Sequence, residues 1–301
     1  MIDKAGALIV ICLLSIGAPS GTYILATSCK KNKCIQYKSR NAKKTSRGRY
    51  WPASSIKLWA AIGALQTLYK HNLDGESFVW WQHPKSYLSY AGKVNRLIYR
   101  SIRFSGNRSY DKLLIVARLD SLNSLSKKWN LKSTYLSVAY STNSKHVKYS
   151  PKLQGYKSTI PEHFSKLKSK RCRRNCTSLQ DLQTVLLYTI LNKFQLKQKD
   201  YSNLIKALSL TKPIGYQCVK YYCGKNTKVY AKNGSVPFYH HITNLYARCR
   251  NRHIIISIAS PMKTRHAKSA YRKRVYKIVC QSIYRLTRQV KRCGRNYNSF
   301  N

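Results

Sequence analysis

Apolar positions along the chain fall into three regimes. The first is a continuous run, Ala5 to Ile16 (AGALIVICLLSI), behind Lys4, with a weaker stretch GTYILA after Ser20. A run of this length is short for a bilayer span and predicts an export signal. Cleavage is expected after Ser28, where Ala26 and Ser28 supply small residues; an uncleaved segment, or a lipid on Cys29, is the only membrane attachment the sequence suggests. In the second regime apolar residues recur at helical spacing. SSIKLWAAIGALQTLY, from Ser54 to Tyr69, has strong helix formers, with Pro52 and Ser54 near the expected start. Further helices are expected over 93–103, 108–120, 178–193 and 199–209. In the third regime, residues 227–236, 240–250 and 252–260 are β-rich runs separated by turn-prone residues, which predicts consecutive antiparallel strands. A closing helix over 272–292 carries an apolar stripe of Val275, Ile278, Val279, Ile283, Tyr284 and Leu286. Residues 30–49, basic and without acids, are expected as a strand or a solvated arm. The predicted architecture is α/β of the α+β kind: an antiparallel sheet flanked by terminal helices, plus an all-helical insertion.

Charge narrows the chemistry. The 301 residues hold 57 Lys and Arg against 8 Asp and Glu, a formal charge of +49. The acids are Asp3, Asp74, Glu76, Asp111, Asp120, Glu162, Asp181 and Asp200, so any carboxylate chemistry comes from this set. Such a field attracts anionic polymers. The bases are spread along the chain and no nucleic-acid module is present, so no specific nucleic-acid partner is expected, and a general compositional bias is the favoured account of the charge. Beyond Cys12 there are nine cysteines. Three close pairs, Cys29 with Cys34, Cys172 with Cys176 and Cys218 with Cys223, suggest short-loop disulfides in a periplasmic or extracellular protein. Their spacings lack paired CxxC and a matching histidine, so neither a metal nor another cofactor is expected.

Three short motifs carry the candidate chemistry. Ser54 and Lys57 are three residues apart at a helix start, so they share a face. A serine hydroxyl needs a proton acceptor and a donor site for the oxyanion it generates, and a buried lysine is such an acceptor. Ser105, Gly106 and Asn107 precede the next helix but one, and Lys232, Asn233 and Gly234 lie in a strand pattern. In this order, SxxK, SxN and K-x-G resemble the serine penicillin-recognising family of class A β-lactamases and D,D-peptidases. The resemblance spans roughly residues 45–292 and is specific at the three motifs. It implies a catalytic domain over 29–301, with a helical subdomain at about 58–205 and a sheet subdomain at about 30–57 and 206–301. It implies Ser54 as the acylated nucleophile, Lys57 as its base and Ser105 as a proton shuttle to the leaving nitrogen. It also implies that Asn107, Lys232, Asn233, Gly234 and Ser235 bind substrate, with the backbone N–H groups of Ser54 and Ser235 as oxyanion donors.

Two departures concern substrate and rate: Gly106 stands where the family has an aspartate, and Asn233 where it has a threonine. The family's deacylating glutamate lies between the second and third motifs. Glu162 has the order and spacing for that role, although its local motif differs. The resulting expectation is an exported serine hydrolase acting on a β-lactam or a D-Ala-D-Ala-like cell-wall peptide. The alternative is a non-catalytic basic protein of this fold that binds an anionic wall polymer or another anionic polymer.

Overall fold

The chain's two periodicities sort into two units in the computed structural model, which describes residues 10–16, 22–30, 33–39, 50–156, 158–166, 175–236, 240–261 and 268–288. A sheet unit comprises 1–48, 178–183 and 212–301, and a helical unit comprises 49–177 and 184–211. The boundary expected at 58 therefore falls at 49, which puts Ser54 and Lys57 in the helical unit. The chain opens with β1 (Val10–Ile16), β2 (Tyr23–Lys30) and β3 (Lys33–Ser39), followed by α1 (Lys57–Lys70), β4 (Phe78–Trp81) and β5 (Tyr90–Lys93). Next come α2 (Val94–Arg103), α3 (Asn107–Ala117), α4 (Leu119–Lys128) and α5 (Ser144–Lys148). Four short strands follow: β6 (Tyr149–Ser150), β7 (Leu153–Gly155), β8 (Thr159–Ile160) and β9 (His163–Phe164). The remainder is α6 (Leu179–Ile190), α7 (Gln198–Ser209), α8 (Tyr216–Cys223), β10 (Val229–Ala231), β11 (Gly234–Val236), β12 (His240–Cys249), β13 (Arg252–Pro261) and α9 (Lys268–Arg288).

The sheet runs β1-β3-β2-β13-β12-β10, with β11 also paired to β12. Every pairing is antiparallel except β1 with β3. Alternate residues of β2, β3, β12 and β13, among them Ile24, Ala26, Tyr37, Leu245, Ala247, Ile254, Ile256 and Ile258, share a core with Val275, Ile278, Val279, Ile283 and Leu286 of α9. A period of two on the strands thus meets a period of three to four on the helix. The intervening strand residues include buried polar groups, and several have partners, as burial requires. Thr27 Oγ1 donates to Gln183 Oε1 at 2.8 Å, Asn244 Nδ2 donates to the Leu182 carbonyl at 3.0 Å, and Ser257 Oγ donates to Asn244 Oδ1 at 2.7 Å.

Three expectations for the N-terminal and cysteine-bearing segments are corrected. Cleavage after Ser28 would remove β1, which pairs with β3 and holds part of the apolar run expected as an export signal, and most of β2, whose Ile24, Leu25 and Ala26 are fully buried and which pairs with both β13 and β3. Cys29 is bonded to Cys34, as its spacing suggests, and so does not carry lipid. Cys218 and Cys223 do not pair with each other. They are bonded to Cys280 and Cys249, tying α8 to α9 and to β12. They lie five positions apart on α8, well round the helix from one another, which points their side chains at different neighbours. Cys176 is also disulfide-bonded; Cys172 and Cys293 lie outside the described residues.

In the helical unit, a 3₁₀ turn at Ala53–Ile56 leads into α1, which is buried nearly all round. Trp59 near its start donates Nε1–H to Ser126 Oγ at 2.8 Å and packs on Phe194. The helix expected over 108–120 breaks at Arg118, whose φ of 60° separates α3 from α4. Among the described residues no helix is long and apolar enough to cross a membrane. Gly63 marks a close approach: an added Cβ would lie 2.2 Å from Leu122 Cδ2, itself 1% exposed. Gly63→Ala is therefore expected to lower stability by roughly 1–3 kcal/mol through overpacking, although alanine is the better helix former by about 1 kcal/mol. Urea unfolding measures the net effect.

Candidate active site

Pro52 and Ala53 set the geometry of the candidate nucleophile. Ala53 has φ of 46°, a conformation that costs a non-glycine residue about 1–3 kcal/mol and clusters at functional sites. The turn separates the two adjacent serines. Ser55 is 3% exposed and its hydroxyl donates to the Pro52 carbonyl, whereas Ser54 is half-buried. Ser54 is thus the accessible hydroxyl, at the head of α1, where the helix dipole favours developing negative charge.

Lys57, the first residue of α1, is 0% exposed. Its amine donates to the Ser105 carbonyl at 2.5 Å and to Asn107 Oδ1 at 2.6 Å. It also lies 5.8 and 5.6 Å from the ring centroids of Tyr110 and Tyr140. Burial lowers the Lys57 pKa to about 8, against an opposing pull from Asp111. About a tenth of the amine is therefore neutral at pH 7, far more than an ordinary lysine offers, and a proton acceptor must be neutral.

The second motif is built by a break between helices. Phe104 and Gly106 both donate backbone N–H to the Arg100 carbonyl, closing α2, and Ser105 between them has φ of 57°. Gly106 caps α3, whose first residue, Asn107, presents its amide oxygen to Lys57. A carboxylate follows four residues after Asn107, on the same helix face. Asp111 is fully buried and accepts the backbone N–H groups of Tyr140 and Ser141, each at 2.8 Å, as well as the Ser141 hydroxyl. Burial raises the Asp111 pKa, opposed by these hydrogen bonds and by Lys57. Tyr140 stacks on Tyr110 at 4.7 Å and donates its hydroxyl to the Ala53 carbonyl at 2.6 Å. Asn175 secures the same segment, accepting from Ser137 N and Val138 N and donating to Val138 O and Tyr110 Oη.

The structure brings Lys57, Ser105 and Asn107 together, with Ser54 on the turn that leads into Lys57, but does not bring Glu162 to them. Glu162 is exposed and accepts a hydrogen bond from Tyr149, beside Pro161, whose carbonyl accepts from Arg118 at the far end of α3. At 1.5 Å per residue the ends of α3 lie about 15 Å apart. In the sheet unit, Lys232 is 3% exposed and its backbone N–H donates to the Asn244 carbonyl at 3.1 Å. Asn233 Oδ1 is buried without a hydrogen bond among the described residues. Gly234 is buried and pairs with Ile242, while Ser235 is exposed and pairs with His241. Sequence reasoning missed Asp111, Tyr140 and Asn175. Asp111 had a signal, an acid at i+4 from Asn107 in an apolar helix; Tyr140, one of 24 tyrosines, had none.

No protein-family model and no curated protein matches this sequence. Solved structures do match. The chromosome-encoded β-lactamase of Vibrio parahaemolyticus superposes with a TM-score of 0.62 at 11% identity, covering 89% of this chain and 94% of that one. A class A β-lactamase from Mycobacterium abscessus gives 0.62 at 12% identity with the same coverage. A representative class A β-lactamase from Bacteroides cellulosilyticus gives 0.60 at 12% identity, covering 89% and 92%. The chain therefore has the fold of the class A β-lactamases, carried on a sequence with little residue identity to these structures.

Proposed function

We propose that this protein forms an acyl-enzyme on Ser54, with a β-lactam or the D-Ala-D-Ala-like end of a cell-wall peptide as the acyl donor. The observation that carries the reading is Lys57, a buried amine with a lowered pKa held by Ser105 and Asn107, three residues after the accessible Ser54 on the same turn. The neutral amine takes the Ser54 proton as Oγ attacks the carbonyl carbon. As the C–N bond breaks, Ser105 passes a proton to the leaving nitrogen. The Ser54 backbone N–H is the oxyanion donor on this unit. The resemblance alone assigns carboxylate recognition to Lys232 and Asn233, close approach of the substrate backbone to Gly234 and a second oxyanion donor to the Ser235 backbone N–H, and Lys232→Ala is the variant that tests the first of these. The bonds Cys29–Cys34, Cys218–Cys280 and Cys223–Cys249 support an oxidising compartment, outside the cytoplasm.

A fluorescent penicillin is expected to label the wild type and not Ser54→Ala. Equal labelling of both, or none of either, would leave a non-catalytic basic binder as the better account.

A further inference from the structure

Acylation is only half of a hydrolysis. To free Ser54, a water oxygen must bond to the acyl carbon, the C–Oγ bond must break, a base must take a water proton, and Oγ must regain one. The carboxylates of the helical unit are committed elsewhere. Asp200 accepts from Gly75 N, Asn95 Nδ2 and Tyr69 Oη, Glu76 accepts from Asn95, Asn203 and Lys93, and Asp74 holds its own turn through Glu76 N and Ser77. Asp120 accepts from His163 and Ser165 and, like Glu162, lies at the far end of α3. Only Asp111 is close to Lys57, and both its oxygens are used, Oδ1 by Tyr140 N and Oδ2 by Ser141.

The position beside Lys57 that a base would need is instead taken by a phenol. The Tyr140 ring reaches from the Lys57 amine to the carbonyl of the peptide bond joining Ala53 to Ser54. Its backbone is pinned by Asp111, its ring is stacked on Tyr110, and its proton is directed at Ala53. We infer, on the acyl-enzyme reading above, that Tyr140 is a positioning residue that protects the Ser54 ester from water, so that the protein retains its acyl group rather than hydrolysing it. Burial pushes the phenol up to about 12, so it stays protonated and is no base for water at neutral pH.

The test follows benzylpenicillin-treated protein by intact mass over time, with nitrocefin turnover in parallel. The wild type is expected to show one covalent adduct and a burst with little turnover after it. Tyr140→Glu puts a carboxylate beside Lys57 and should speed adduct loss by about 100-fold or more, with a new carboxylate limb in its pH profile. Tyr140→Phe keeps the ring and should lose the adduct within a few-fold of the wild-type rate. Should Tyr140→Glu not fold, Tyr140→Ala with added acetate replaces it, and adduct loss is expected to rise with acetate concentration. Wild-type adduct loss as fast as that of Tyr140→Glu, an equal gain in Tyr140→Phe, or no acetate dependence in Tyr140→Ala would each overturn the role of Tyr140 while leaving acylation standing. No adduct in the wild type would overturn the acyl-enzyme reading and this inference with it.

Discussion

Replacing Lys57 with methionine is expected to slow acylation of Ser54 by about 10²–10⁴-fold, the usual contribution of a positioned base. Methionine keeps most of the side-chain volume in a fully buried site, so the loss falls on proton transfer more than on packing. The wild-type pH dependence carries the same information with a definite sign. Only the neutral amine accepts the Ser54 proton, and burial places its pKa near 8 rather than 10.5. The acylation rate should therefore climb about tenfold per pH unit below 8 and level off above it. Stopped-flow labelling with a fluorescent penicillin measures both effects. A limb at the ordinary lysine value, or an unchanged rate in Lys57→Met, would remove Lys57 from the mechanism.

Reduction of the disulfides should destabilise the sheet unit more than any single core substitution. Cys223–Cys249 spans 26 residues and Cys218–Cys280 spans 62, and loop-closure entropy gives each roughly 3–4 kcal/mol on the chain-entropy model. Their common target is α8, eight residues long and too short to persist by its own hydrogen bonds. The double variant Cys223→Ser with Cys249→Ser is accordingly expected to lose about 3 kcal/mol in urea unfolding, and reductant should then lower the remaining stability further. Equal unfolding midpoints with and without reductant would show that packing alone holds α8.

What could be read in advance followed from local signals. Pro52, Ser54 and the apolar run after them specify α1, and the alternation in HHITNLYARC and RHIIISIAS specifies β12 and β13. By contrast, β2 was hidden because YILATS follows an apolar run and reads as its continuation; only pairing with β13 and β3 makes it a strand. Disulfide partners are set by the distance between elements, not along the chain, so Cys218 and Cys223 resemble a pair and are not one. Glu162 fits the family's order but not its place, because the segment around it docks at the far end of α3. Tyr140 reaches Ala53 across 87 residues of chain, a contact that composition and period do not encode.

The central claim, an acyl group on Ser54, is tested most directly by peptide mapping of benzylpenicillin-treated protein by mass spectrometry. The expected result is one penicilloyl group on the peptide holding Ala53–Lys57, fragmenting to Ser54 and not to the buried Ser55, and absent from Ser54→Ala. Modification at Ser55 or elsewhere, or an unmodified chain after prolonged exposure, would contradict it.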